Sequence, residues 1–193
     1  HTLDTTDIRI QTAATPTPLP GEHNQANVAL AATVARFLGV EESILARAVS
    51  SFFGVAYRQQ LIPTNDGLRW INDTTSTTPT ALLTALKTYQ AQPVVLLAGG
   101  TTKQLPFPEE LLTILASIPE NIVWLAGSGT KELLARIDHN HAKKHQSLAA
   151  AVEQARTKAQ QKKIGTILFS PGFSSFEMFR NEFDRGDQFN ALV

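Results

Sequence analysis

The sequence predicts an α/β fold, a mostly parallel sheet with helices on both faces, preceded by a helical pair. Three observations carry that expectation. Apolar runs at residues 93–98, 121–126 and 166–169 have the length of buried strands. Segments with helical apolar spacing separate them, and each run leaves through Gly or Ser-Pro-Gly. A hairpin ahead of three strand–helix units gives a sheet covered on both sides.

Taken in order, the opening residues alternate Ile8 and Ile10 as a short β-like segment, and Pro16, Pro18 and Pro20 then bar a helix. Residues 24–38 place Val28, Ala29, Ala32, Ala35 and Leu38 at helical spacing, with Gly39 as the stop. A second helix over about 41–53 carries Ile44, Leu45, Ala48, Val49 and Phe52, and Glu41 and Glu42 suit the positive end of its dipole. This pair is too small to be a domain by itself. Residues 60–63 and 68–71 flank Asn65-Asp66-Gly67, a hairpin turn. Helices are predicted after Pro79 and over 108–118, 131–137 and 147–162, and the chain ends in a polar, amphipathic stretch.

Composition narrows the function. Seventeen Lys+Arg balance seventeen Asp+Glu, which disfavours a nucleic-acid binder or a polybasic membrane anchor. There is no cysteine, so disulfides, thiolate metal sites and thiol nucleophiles are excluded. No apolar run reaches the roughly 18 residues of a membrane span. The N-terminus lacks the basic-then-apolar order of a signal peptide. It opens on His1, so the chain is expected to be a piece of something longer.

In such sheets ligands meet the loops beyond the carboxyl ends of the strands. Here those are residues 73–79, 99–103, 127–130 and 170–176, all rich in Gly, Ser and Thr. Asp73 either accepts hydrogen bonds from a ligand, or it or a neighbouring Thr caps the helix near Pro79. Gly99-Gly100-Thr101-Thr102-Lys103 offers amides and an ammonium to a carboxylate or phosphate, yet it is no Walker A loop. Gly127-Ser128-Gly129 lacks the third glycine of a dinucleotide fingerprint. Asn24 and Asn27 suit a purine edge or a helix cap, and Arg58 suits a phosphate or a salt bridge. The spacing of His139 and His141 fits a metal-ligand pair poorly, and their polar surroundings read as a solvated loop.

Together these motifs are more specific. Gly21-Glu22-His23-Asn24 with Asn27, then residues 52–58 ending in Tyr57-Arg58, precede Asn72-Asp73-Thr74-Thr75-Ser76-Thr77. Gly99-Gly100 with Lys103 follows, then Ser170-Pro171-Gly172-Phe173-Ser174-Ser175-Phe176 and Arg185-Gly186. This order resembles the C-terminal part of the Mur ligases, from about Leu19 onward. The resemblance implies that residues 1–56 end a central ATPase-like domain and that 57–193 form a Rossmann-like domain receiving an amino acid. It implies a cytoplasmic ATP-dependent ligase of peptidoglycan synthesis that joins D-glutamate to UDP-N-acetylmuramoyl-L-alanine through an acyl phosphate. By matching positions, Asn24, Asn27, Arg58 and Asp73 would contact ATP, and Thr77, Lys103, Ser175 and Phe176 the amino acid. The phosphate loop and the Mg2+ ligands would lie in parts this chain lacks, leaving it inactive alone. Tyr57, Thr74-Thr75-Ser76 and Glu182 depart from the family pattern of a histidine, Ser-Lys-Ala and an aromatic. The alternatives are a ligase for another amino acid, or a stand-alone module binding an amino acid or nucleotide without catalysis.

Overall fold

The computed structural model describes residues 17–193, so the β-like segment at Ile8 and Ile10 lies outside the described residues. The chain divides into two compact units between Val55 and Ala56. The first holds α1 (Glu22–Phe37) and α2 (Glu42–Ser50). They bury Ala29, Ala32, Thr33 and Leu45. Phe37, Leu38 and Phe53 keep 80%, 73% and 84% of their surface exposed, so the pair covers little of its own apolar side.

The second unit is built on six strands: β1 (Gln60–Ile62), β2 (Arg69–Asn72), β3 (Val95–Ala98), β4 (Ile122–Leu125), β5 (Lys144–His145) and β6 (Thr166–Phe169). Their order is β1-β2-β6-β3-β4-β5. Only β1 runs antiparallel, joined to β2 by the predicted turn, where the Asp66 carboxylate accepts from Thr64 Oγ1 and the Leu68 amide and Gly67 takes φ 78°.

Strand geometry sorts the apolar runs into two cores. Ile71, Leu96, Ala98, Ile122, Trp124 and Leu168 face α3 (Pro79–Thr88), α4 (Glu109–Ser117) and α5 (Ser128–Arg136). Their neighbours Trp70, Val95, Leu97, Val123, Leu125, Ile167 and Phe169 face α6 (Leu148–Lys162) and α7 (Glu182–Leu192). Alternation of side chains along a strand makes every residue of a doubly covered run apolar. Thr78 caps α3, accepting from the Ala81 amide, and Ser147 caps α6 from Ala150.

Two expectations need correction. Residues 138–145 are not wholly a solvated loop: Lys144–His145 add a sixth strand beside β4, and His145 is buried. Two residues are too few to show a period in sequence. The helix expected at 131 begins at Ser128, because the glycine turn itself supplies its first residues.

The carboxyl-end turns pack backbone against backbone. A Cβ on Gly127 (φ 156°) would stand 2.2 Å from the Gly100 carbonyl oxygen, whereas one on Gly67 would meet nothing within 4 Å. The chain's two tryptophans, Trp70 and Trp124, both lie in the second unit, so their fluorescence follows its unfolding. In urea, Gly127→Ala should cost about 3 kcal/mol, from the clash and the backbone strain together. Gly67→Ala should cost about 1 kcal/mol, from strain alone. Equal losses would contradict this close approach.

Candidate functional site

The loops leaving β2, β3, β4 and β6 converge at the carboxyl edge of the sheet and are tied to one another. Thr101 and Ser174 exchange backbone hydrogen bonds of 2.9 and 3.1 Å. The Gly129 and Thr130 amides both donate to the Gly100 oxygen, and Thr130 Oγ1 accepts from the Gly100 amide. Glu177 accepts from the Ser128 amide at 2.9 Å and from Ser128 Oγ, covering the amino end of α5. The Gly99 amide donates to Pro171, the Thr102 amide to Ser128 Oγ and the Gln104 amide to Thr102 Oγ1. Of the amides that the sequence offered to an anion at residues 99–103, those of 99–102 are thus committed within the protein.

Beneath the loops lies Arg185, fully buried on α7. Its guanidinium donates from Nε to Thr74 Oγ1 at 3.0 Å, from Nη2 to the Thr74 oxygen at 2.7 Å and from Nη1 to the Phe173 oxygen at 3.1 Å. Among the described residues no carboxylate forms an ion pair with it, and burial brings its pKa down to about 10. One rigid fork therefore fastens the β2 loop to the β6 loop.

Asp73 is also buried. It accepts from Ser170 Oγ at 2.8 Å and from the Gln59 amide at 3.2 Å. Burial pushes its pKa up to about 6, against those two hydrogen bonds and the nearby charge of Arg58. Asp73 does not cap α3, since Thr78 does. Arg58 itself is exposed.

Lys103 Nζ donates to Thr77 Oγ1 at 3.0 Å, joining the β3 and β2 loops. Both residues line a narrow cleft with Leu105, Phe107, Gly172 and Phe173. Its interior of about 10 Å³ is room for a single water. Ser175 is buried, and among the described residues its hydroxyl has no hydrogen-bond partner; the same holds for Ser76. Phe176, on the same loop as Ser175, is 68% exposed.

Asn24 and Asn27 stand on α1 in the first unit. The α1 N-cap is Gly21 and no side chain caps the helix, while Asn24 Nδ2 donates to the Pro20 oxygen at 2.7 Å. Asn27 is exposed. Sequence reasoning did not assign Arg185, Ser170, Glu177 or Ser76 to a site. Arg185 and Ser170 stood in the quoted motifs, but nothing local separates a buried arginine on a polar helix from a solvated one. Of the five histidines, His139 Nδ1 lies 3.2 Å from the Ile137 oxygen. Among the described residues no three His, Asp or Glu side chains are grouped as metal ligands would be.

A doubly covered, mostly parallel sheet with hydroxyls, an ammonium and a buried carboxyl at its carboxyl edge has the architecture of the doubly wound α/β type, in which ligands are met at that edge. The comparisons with known proteins specify it. No protein-family model matches the chain. The UDP-N-acetylmuramoylalanine–D-glutamate ligase of Roseiflexus sp. is 39% identical over 180 residues, 91% of this chain and 38% of the relative. The ligase of the same name from Symbiobacterium thermophilum is 36% identical over 179 residues, again 91% and 38%. The chain thus spans under two-fifths of the length of these relatives.

Among solved structures, the UDP-N-acetylmuramoylalanyl-D-glutamyl-2,6-diaminopimelate–D-alanyl-D-alanyl ligase of Acinetobacter baumannii superposes with a TM-score of 0.62 at 20% identity, over 92% of this chain and 37% of that one. A folylpolyglutamate synthase of Mycobacterium tuberculosis gives 0.60 at 14% identity, over 91% and 41%. At such identities these two share the fold. Over nine-tenths of its length the chain is thus similar to curated UDP-N-acetylmuramoylalanine–D-glutamate ligases, and its similarities are consistent with a C-terminal portion of a Mur ligase.

Two outcomes follow from the buried charges. For Asp73, a folded-state pKa near 6 against the usual 3.8 means the carboxyl favours folding below about pH 4. That contribution is lost as pH rises through 6, a change of about 3 kcal/mol. The stability of Asp73→Asn relative to the parent should therefore grow by about that amount from pH 4 to pH 7; a difference that does not vary with pH would show ordinary titration. Arg185→Met should cost about 3 kcal/mol or more in urea, since it strands the Thr74 and Phe173 carbonyls. Loss under 1 kcal/mol would show that the loops hold without it.

Proposed function

We propose that this chain is the amino-acid-receiving C-terminal portion of an ATP-dependent ligase that joins D-glutamate to UDP-N-acetylmuramoyl-L-alanine in peptidoglycan synthesis. The observation that carries the reading is the Lys103 Nζ–Thr77 Oγ1 contact at the cleft mouth, on a chain whose relatives are D-glutamate ligases by name. Lys103 has three donors and gives one to Thr77, so two remain for a carboxylate. The unpartnered Ser175 hydroxyl supplies a further donor and exposed Phe176 a surface for the amino-acid stem.

In this reading residues 1–56 end the central domain, as the poorly covered apolar side of α1 and α2 supports, and residues 57–193 are the terminal one. Asn24, Asn27, Arg58 and Asp73 contact the adenosine part of ATP. The γ-phosphoryl group passes to the substrate carboxylate, giving an acyl phosphate and ADP. The D-glutamate amine then attacks the acyl carbon; the C–N bond forms, phosphate leaves and the amine loses a proton. The chain's residues hold the amino acid and keep water from the acyl phosphate. The Mg2+ that ATP chemistry uses finds no ligand group among the described residues, and no step assigned to this chain runs through it. Alone, the chain should form no amide.

In the whole ligase, Lys103→Ala should raise the KM for D-glutamate by about 10- to 100-fold, the worth of a charged hydrogen bond. The KM for ATP should stay within about twofold. Steady-state kinetics with each substrate varied would decide; an unchanged D-glutamate KM removes Lys103 from the amino-acid site.

A further inference from the structure

Arg58 is flanked by two residues other than glycine that have positive φ, Tyr57 at 67° and Gln59 at 48°. Such a backbone is uncommon for a residue with a Cβ and persists only where its surroundings hold it. At Tyr57 the holding contacts come from two sides. Its carbonyl oxygen accepts from the Thr75 amide at 3.2 Å and from Thr75 Oγ1 at 2.9 Å, and its amide donates to Gln60 Oε1 at 2.9 Å. Its hydroxyl donates to the Asp187 carboxylate on α7, and its ring meets that of Phe183 edge to face, with centroids 5.9 Å apart.

Helix α7 leaves room for that ring. A Cβ on Gly186 would stand 2.5 Å from Tyr57 Cδ1 and 2.7 Å from Thr74 Cγ2. Glycine inside a helix is unfavourable, and at 186 it is the residue that the Tyr57 ring permits. On the other side of Arg58, the Gln59 amide donates to Asp73 Oδ1 at 3.2 Å. The main chain at Arg58 is thus fastened both to the β2 loop and to α7. Its side chain is not. Arg58 is exposed, and among the described residues it makes no hydrogen bond or ion pair, although its charge acts on the buried Asp73 carboxyl. A fixed backbone with a free guanidinium is the arrangement of a pre-organised contact, which loses little freedom when a ligand arrives.

We propose that Tyr57 is a positioning residue for the nucleotide: its contacts with Asp187 and Phe183 hold the strained turn that presents Arg58 to ATP. The inference rests on the reading that Arg58 contacts ATP, and it adds the residue that sets where Arg58 stands. Tyr57 itself touches no substrate. Removing its hydroxyl takes away one of the contacts that oppose the backbone strain, so the turn relaxes and Arg58 is less often in place. Thr77 and Lys103, which serve the amino acid, lie on other parts of the loops and do not depend on this turn.

The test is a double-mutant cycle in the whole ligase, with the KM for ATP and for D-glutamate measured in Tyr57→Phe, Arg58→Ala and the pair. Tyr57→Phe keeps the ring and removes only the hydroxyl. It should raise the KM for ATP about fivefold and leave that for D-glutamate within about twofold. Asp187→Ala, which removes the acceptor, should give the same split. Because Tyr57 acts through Arg58, the double variant should have the ATP KM of Arg58→Ala alone. The inference is overturned, with the Arg58 reading intact, if Arg58→Ala raises the ATP KM and Tyr57→Phe does not. It is likewise overturned if the two losses multiply in the double variant, or if Tyr57→Phe raises both KM values alike, as a merely structural contact would. An ATP KM unchanged in Arg58→Ala overturns the reading and the inference with it.

Discussion

Burying an arginine without an acidic partner is a constraint on everything around it. Arg185 is inaccessible to solvent and satisfied by a hydroxyl and two main-chain carbonyls. Those acceptors must stay where the fork reaches them, which fixes Thr74 after β2 and Phe173 after β6. A Cβ on Gly100 would approach Arg185 Nη1 at 3.6 Å, so the β3 loop also passes over the guanidinium. Burial lowers the pKa of this cation, which neutral acceptors stabilise less than a carboxylate would.

The rest of the mouth follows from the same geometry. β2, β6, β3 and β4 lie side by side and parallel, so their ends present four loops on one edge. Their glycines let those loops touch main chain to main chain, as the Gly127–Gly100 approach requires. Backbone groups satisfy one another across the loops. The departures at residues 74–76 fall in the loop that Arg185 holds.

Most of the architecture was legible in the sequence because the strands that matter are buried on both faces. The runs at 93–98, 121–126 and 166–169 required no period to be recognised, and Asn65-Asp66-Gly67 named its own turn. What could not be read was set by contacts distant in sequence. His145 is buried because two residues happen to lie beside Leu125, and no composition signal distinguishes them from a polar loop. Arg185 sits among Asp, Glu and Gln on a helix of polar character, and its burial depends on Thr74, 111 residues earlier. Lys103 and Thr77 could be named through the family pattern, but that they touch is a fact of the folded sheet. The amides of residues 99–102 were misread as free for a converse reason: their acceptors come from the 127–130 and 170–174 loops.

The loop cluster concentrates the least favourable groups of the second unit. Asp73 carries a carboxyl that burial resists ionising, Ser76 and Ser175 bury hydroxyls without partners, and Arg185 buries a charge. Each of these costs free energy in the folded protein, of the order of about 1–3 kcal/mol apiece. The two apolar cores offset that cost through burial at Trp70, Phe169, Phe189 and the leucines of α3 and α4. Stability is thus supplied by the body of the sheet and given up at its carboxyl edge. Polar groups that cost free energy are thus gathered in the loops, away from the apolar cores that carry the fold.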